Sequence, residues 1–537
     1  MPNHLQAETK NKHPRGLYIL FFTELWERFG YYLMLGIFSL YMIDTVQNGG
    51  MGFSPEKKSD IYGTYLGLVY LTPFIGGLLA DRVLGYRKSI IIGGLLMACG
   101  YIGLSMPGTQ FFYISLLLII LGNGFFKPNI STLVGNLYND DRFRANKDSG
   151  YNIFYMGINI GAFVCNFVAA YMRNNLGWGW AFGAAGVGMI IGVLTFISGS
   201  KHLVAADIKK PAQKEDMSLA KIFGLVLLPM VVFGVLGFLL PTHFLGHTIF
   251  GTPSNDAFLF GCIPVIIFYT SLWSRAAPED KNGIGALLAV FFCVIIFWAV
   301  FHQNGDALTI WAKDYTNREM PAALGNAADK IGMAQHATYN PDQIAGTYYS
   351  NLPAAQRPEP GKSLLLYSTE LYQSINPFWV VVLTPVVVGI WGMLRRRKKE
   401  PSTPAKIAIG LFVTGLSALV MVAAVSATQI GDEKASSWWL IMSYCVISFG
   451  ELCLSPMGLS LVSKLSPPRL TSLLMGGWFL STSVGNKLSG MLSGLWEGFD
   501  NKAHFFLMNF GLCVGATLLL LMLIKWLNKV MLEKGLK

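Results

Sequence analysis

Apolar runs of at least 18 residues recur along nearly the whole chain, and no other feature narrows its possible folds so far. An uninterrupted run of about 20 apolar residues is the length of a helix that crosses the hydrocarbon of a bilayer. Fourteen such runs can be placed: 16–43, 59–80, 88–106, 110–137, 150–173, 178–200, 219–240, 257–274, 284–304, 370–394, 404–429, 437–463, 470–495 and 504–530. Hydrocarbon offers the backbone no water, so each run must satisfy its own hydrogen bonds as a helix. Length alone would suit three or four soluble domains, at roughly 150 residues each. Hydropathy overrides that reading: 53% of the 537 residues are hydrophobic and 13% are charged, against about 25% charged in soluble domains. An all-α membrane protein, embedded in a lipid bilayer, is expected.

The net charge of +11 would suggest nucleic acid as a partner of a soluble chain. Here the basic residues lie in alternate short loops, so membrane topology accounts for them and no nucleic-acid partner is expected. One set of loops carries Arg82, Arg87 and Lys88; Arg142, Arg144 and Lys147; Lys201, Lys209, Lys210 and Lys214; Arg275 and Lys281; and "RRRKK" at 395–399. The opposite set has few, with Lys57 and Lys58 its main exception. Both termini are then cytoplasmic, and an even number of spans agrees in placing them on one side. The polar start "MPNHLQAETKNKHPRG" lacks a signal-peptide pattern. All seven cysteines (Cys99, Cys165, Cys262, Cys293, Cys445, Cys453, Cys513) fall in apolar runs and read as small buried hydrophobes rather than a disulfide framework.

The spans divide unevenly. The division expected is a cytoplasmic tail (1–15), a six-helix bundle (16–200), a charged linker with an inserted two-helix hairpin (201–283), a second six-helix bundle (284–530) containing a long external loop at 312–368, and a cytoplasmic tail (531–537). Six plus six is the arithmetic of a two-halved secondary transporter with its site at the midplane.

Ionisable residues inside spans are costly, and each is a functional hypothesis by default. On the first span Glu24, Glu27, Arg28 and Tyr31 stand at i, i+3, i+4 and i+7, on one helical face. The fourth span has Lys127 beside Pro128, the ninth has His302 and Asp306 at i and i+4, and the twelfth has Glu451 between Gly450 and Pro456. Glu24 and Arg28 alone could be a structural ion pair; Glu27 would still need a partner, for which Lys127 is a candidate. Protonating such a cluster changes which pairs can form, a route by which a proton gradient biases a two-state motion.

The same residues resemble a known family. "ELWERFGYY" is similar to the E-x-x-E-R motif of the proton-dependent oligopeptide transporters, within the major facilitator superfamily. "GGLLADRVLGYRKSIIIGG", "FKPNIST", "FYMGINIGAF", "QSINPFW", "GELCLSPMGL" and "MGGWFLSTSVGN" fit that family's pattern in order over both halves. The resemblance implies a major facilitator fold: 6+6 helices in two pseudo-symmetric bundles plus two inserted central helices, fourteen transmembrane helices in all, as in bacterial inner-membrane members. It implies a proton-coupled symporter of di- and tripeptides, with the proton as coupling ion and no other cofactor. Glu24, Glu27, Arg28 and Lys127 would form the coupling cluster, joined by His302 and Asp306. Glu451 would meet the peptide's amino end, helped by Asn159 and Asn376. Tyr31, Tyr32, Tyr70 and Trp478 would line the pocket, Lys127 would take the peptide carboxylate, and Asp81, Arg82, Arg87 and Lys88 would form a gate loop.

Three positions depart from the family pattern. Leu35 stands where many relatives have an arginine facing the peptide carboxylate, His302 where many bacterial members have a glutamate, and Leu33 replaces a glycine. Asp306, one turn beyond His302, is then the candidate counterion of Lys127. Leu35 and His302 favour an alternative of the same family, a proton-coupled carrier of another anion or small metabolite, because some plant members that move nitrate carry a histidine in this region. Glu451, Asn159 and Asn376 argue against it, as an inorganic anion needs no amine site. An enzyme is not expected: there is no H-E-x-x-H, G-x-S-x-G or G-x-x-x-x-G-K-[ST]. His243 and His247 have the spacing of a metal pair but no nearby cysteine or carboxylate to complete a site.

Overall fold

Helix starts follow a local rule visible in the sequence. Ser54 caps α2 (Pro55–Leu79) by accepting from the Lys57 amide, and Thr252 caps α8 (Pro253–Ser274) by accepting from that of Asn255. Proline takes the first helical position in both, where its missing N–H is not needed, and Glu56 and Asp256 meet the positive end of the helix dipole. The computed structural model describes residues 13–208, 218–428, 433–467 and 470–534. Lys209, Lys210 and Lys214, expected in a cytoplasmic linker, and the last three residues lie outside that set.

Among the described residues fourteen long helices follow one another. Besides α2 and α8 they are α1 (Arg15–Ile43), α3 (Tyr86–Leu104), α4 (Thr109–Leu137), α5 (Lys147–Leu176), α6 (Trp178–Gly199), α7 (Leu228–Leu240), α9 (Pro278–Phe301), α10 (Ile375–Arg396), α11 (Thr403–Ala427), α12 (Ser437–Leu465), α13 (Thr471–Gly494) and α14 (Lys502–Glu533). Twelve, taken with the helical turns that adjoin them (Ala220–Leu245 around α7), are long and apolar enough to cross a membrane. The other two are α1, whose hydropathy is lowered by Glu24, Glu27 and Arg28, and α13, rich in glycine, serine and threonine. Both are interior helices whose polar residues face protein rather than lipid.

Two hydrophobic cores form. One draws on residues from Leu17 to Ala206, the other mainly on α9 to α14. Their helices meet closely where α2 crosses α13: a methyl group on Gly63 would lie 2.8 Å from the Cα of Gly490, so only glycine permits the approach. The pair α7 and α8 sits at the periphery. Neither helix contributes much to the second core, which draws mainly on α9 to α14. Lipid-facing Cys99 is exposed, unlike the buried position expected, because α3 turns that face away from the first core.

The long loop expected at 312–368 is folded. The ninth span continues through a 3-10 turn (His302–Gly305) and a short helix to Asp314. Beyond it Thr316–Asn317 pairs in parallel with Ala435–Ser436, a helix covers Ala322–Lys330, and Gln335–Thr338 pairs with Ser363–Leu366. Tyr348, Tyr349, Leu352 and Leu366 give this module a small core. It marks one end of the molecule, the module end; Arg15 and Glu533 lie at the other, the tail end.

Candidate functional site

On α1 the helical spacing puts Glu24, Glu27 and Arg28 on one buried face, at 2%, 0% and 4% exposure. The Arg28 guanidinium serves both carboxylates, with Nε 2.8 Å from Glu24 Oε1 and 2.7 Å from Glu27 Oε2. Two carboxylates share one cation, and among the described residues Glu24 Oε2 and both oxygens of Glu27 have no hydrogen-bond partner. Nearby stand the buried hydroxyls of Tyr65 and Tyr101, also without partners. Sequence reasoning missed these two tyrosines, since nothing in their own helices distinguishes them from core aromatics.

Lys127 does not complete the cluster as an ion-pair partner. It lies near enough to Glu27 for their charges to interact, but its ammonium sits over the Tyr70 ring, 3.9 Å from the centroid. Tyr70 in turn meets the His302 ring edge-on at 5.8 Å. Asp306 is not the counterion of Lys127. The helix breaks after Phe301, so the i, i+4 spacing of His302 and Asp306 does not hold, and Asp306 pairs with buried Lys58 and accepts from Ser39 Oγ at 3.3 Å. Lys58 is thereby explained as an exception to the loop charge pattern: it is a buried ion-pair partner and reports nothing about topology.

Between the two cores lies a cavity of about 120 Å³. Tyr31, Tyr32 and Tyr70 line it from the first half, His302, Asn376 and Glu451 from the second. Glu451 Oε2 accepts from Asn376 Nδ2 at 3.2 Å, and the same amide donates to Ser448 Oγ at 2.8 Å. Leu35 is in the wall, as are Asn166, Trp298 and Gln373, which the sequence did not single out. Two expected pocket residues are elsewhere. Asn159 donates to the Tyr155 carbonyl of its own helix at 2.9 Å, and Trp478 packs against Gly458 and Phe291 in the second core.

Polar ties join the halves from the module end down to the level of the cavity. Lys58 with Asp306, Arg173 with Glu370 at 2.7 Å, and Lys487 with Asp60 at 2.8 Å are ion pairs across the interface. Asp60 also accepts from Thr252 Oγ1 at 3.1 Å and from Ser254, which ties α8 into the same seam. At the tail end the expected gate loop is held within the first half. Tyr86 donates to Asp81 at 2.6 Å, Arg87 Nε donates to Ser200 Oγ at 2.8 Å, and Asp207 accepts from the Tyr86 amide at 2.9 Å. Arg82 lies in the turn before Gly85, and Lys88 is exposed on the first turn of α3. Gly85 has φ 82°, which lets the chain reverse between α2 and α3.

A family model described as POT family matches residues 87–328 and 365–510. The chain belongs to the POT family. It is 30% identical to a di-/tripeptide transporter of Lactococcus lactis subsp. lactis (strain IL1403), over 94% of this chain and 95% of that one. It is 32% identical to a Bacillus subtilis (strain 168) transporter, YclF, over 92% and 90%. Among solved structures, a peptide transporter POT in complex with sulfate is 30% identical, covers 97% of this chain and 96% of its own, and superposes with a TM-score of 0.75. A POT family transporter in complex with 5-aminolevulinic acid is 25% identical over 97% and 98%, with a TM-score of 0.76. POT membership makes this chain an integral membrane transporter.

Proposed function

We propose that the protein is a proton-coupled symporter that imports di- and tripeptides by alternating access. The observation that carries this reading is the cavity between the two cores, where Glu451, held by Asn376, faces three tyrosines of the opposite half. A carboxylate suits a peptide's ammonium, and aromatic rings suit varied apolar side chains. Relatives named as di-/tripeptide transporters support the substrate class. In this reading the fold is that of the major facilitator superfamily, with fourteen membrane-crossing helices, α7 and α8 inserted between two bundles of six, both termini cytoplasmic and the module outside a bacterial inner membrane. The module-end ties then close the outer side. Protonation of Glu24 or Glu27 changes the charge shared with Arg28, and the proton is the only coupling ion the scheme needs. No catalytic step and no metal are proposed.

The anion reading draws on Leu35 and His302. It is disfavoured because Glu451 is the carboxylate in the cavity wall and, among the described residues, no lysine or arginine lines it; such a wall suits an ammonium better than an inorganic anion. Uptake of labelled dialanine against nitrate, in proteoliposomes with an acid outer face, separates the two. Dialanine uptake that rises with the proton gradient is expected; uptake indifferent to pH, or nitrate uptake alone, sinks the peptide-symport reading.

A further inference from the structure

We propose that the inserted α7–α8 hairpin is a third part of the outer gate. Thr252 and Ser254, at the start of α8, position Asp60 of one half for Lys487 of the other and so hold the module end closed. This rests on the alternating-access reading above and gives the two extra helices a task in it.

A polar node is the first observation. Asp60 Oδ1 receives three donors: Lys487 Nζ at 2.8 Å, Thr252 Oγ1 at 3.1 Å and the Ser254 hydroxyl. Asp60 stands on α2 and Lys487 on α13, while the two hydroxyls come from the N-cap and first turn of α8. Lys487 Nζ also donates to Thr64 Oγ1 at 2.6 Å and reaches Ser254 Oγ at 3.4 Å. The Lys487 side chain is 1% exposed, so a badly aimed Asp60 would leave a buried cation poorly neutralised. The end of the hairpin that supplies the hydroxyls is itself fixed. Buried Asp256 accepts from the amides of Ile249 at 2.9 Å and Phe250 at 2.7 Å, which folds the connection between α7 and α8 back onto the first turn of α8. Hydroxyls on a fixed turn hold the carboxylate in one orientation.

The second observation is how α8 is attached farther along. Toward the tail end the Tyr269 hydroxyl donates to the Leu473 carbonyl of α13 at 2.8 Å, and a methyl group on Gly477 would lie 3.1 Å from the Tyr269 ring. That polar tie goes to the second half alone. One turn below Ser254, Phe258 packs on Gly67 of α2, where a methyl group would lie 2.9 Å from its ring. The Gly67 carbonyl accepts from Ser483 Oγ of α13 at 2.6 Å, so this contact also sits on a bond between the halves. Tyr269 makes α8 travel with α13, and the first two turns of α8 reach across to α2. If the halves part at the module end, the contacts to Asp60 and Gly67 are the ones that break. A hairpin that only filled space against lipid would need no hydroxyls on an ion pair between the halves.

The test is a spin-label distance measurement across the module end of the full-length protein in lipid nanodiscs. The labels go on Gln47→Cys and Gly498→Cys, both exposed, with exposed Cys99 replaced by serine; nothing lies within 4 Å of a Cβ added at Gly498. Ser254→Ala leaves the Thr252 cap of α8 in place. It is expected to raise the ratio of open to closed distances about tenfold, as the loss of a hydrogen bond to a charged group implies. Ser254→Thr, which keeps the hydroxyl, is expected to give the parent ratio. In an Asp60→Leu/Lys487→Met background Ser254→Ala should change nothing further, because the hydroxyl acts through Asp60. Parent distances in a folded Ser254→Ala protein, or an equal shift in the background that lacks the pair, overturn the inference. The distances need no substrate, so a parent protein that fails to take up dialanine overturns the peptide reading and leaves the hairpin to be judged by them.

Discussion

Two sets of buried charge invite comparison. Across the interface of the halves each charge has one opposite partner: Lys58 with Asp306, Arg173 with Glu370, Lys487 with Asp60. On α1 two glutamates share one arginine. The balanced pairs hold two bodies together, and removing either partner strands the other. The unbalanced triad stays inside one helix, ties no bodies together, and carries a surplus carboxylate with room for a proton. Balance therefore marks the ties, and imbalance the candidate coupling site.

The largest effect should come from breaking a balanced pair. Asp306→Asn leaves Lys58 buried without its partner, and a loss of about 3–5 kcal/mol is expected from the state closed at the module end. The readout is a fall in detergent melting temperature, with recovery in the double variant Lys58→Met/Asp306→Leu. A single variant as stable as the parent would remove the distinction. Glu27→Gln should behave oppositely. It leaves Glu24 and Arg28 as a one-to-one pair, so stability is expected to move by no more than about 1 kcal/mol. Gradient-driven uptake should fall about tenfold or more while counterflow exchange persists; parallel loss of both activities would assign Glu27 to folding instead.

The smallest effect lies outside the membrane, at a cation with neither arrangement. Lys434, in the module-end loop, donates to the Asp314 carbonyl at 2.6 Å and sits 4.5 Å over the Tyr348 ring. Burial, opposed by the attraction of Asp314, pushes its pKa down from 10.5 to about 8. The unfolded chain then binds more protons between those values, so stability should rise with pH through that window and level off above it. About 1 kcal/mol is expected, given partial solvent screening. Melting curves from about pH 7 to 10.5 would show it, and Lys434→Met should flatten the slope; an equal slope in the variant assigns it to other groups.

Part of this site could be read before any coordinates. The 3.6-residue repeat places Glu24, Glu27 and Arg28 within reach of one another on any helix, and they are found so. The same reasoning failed for His302 and Asp306, because the helix stops between them at a 3-10 turn. It failed again for residues 312–368, read as a loop, since the pairing of Thr316–Asn317 with Ala435–Ser436 joins segments more than a hundred residues apart. The fourteen apolar stretches did appear as fourteen long helices among the described residues.

By itself the sequence determined a membrane-embedded helical chain, the order of its helices and the charged face of α1, because hydropathy and helical period act over neighbouring residues. Only the tertiary structure decided that Asp306 belongs to Lys58, that Lys127 rests on Tyr70, and that Glu451 is the lone carboxylate of a cavity with no lysine or arginine in its wall. Those pairings depend on which helices touch and at what height. The spacing along one helix constrains contacts within about two turns and says nothing of the distance to a helix 248 residues away.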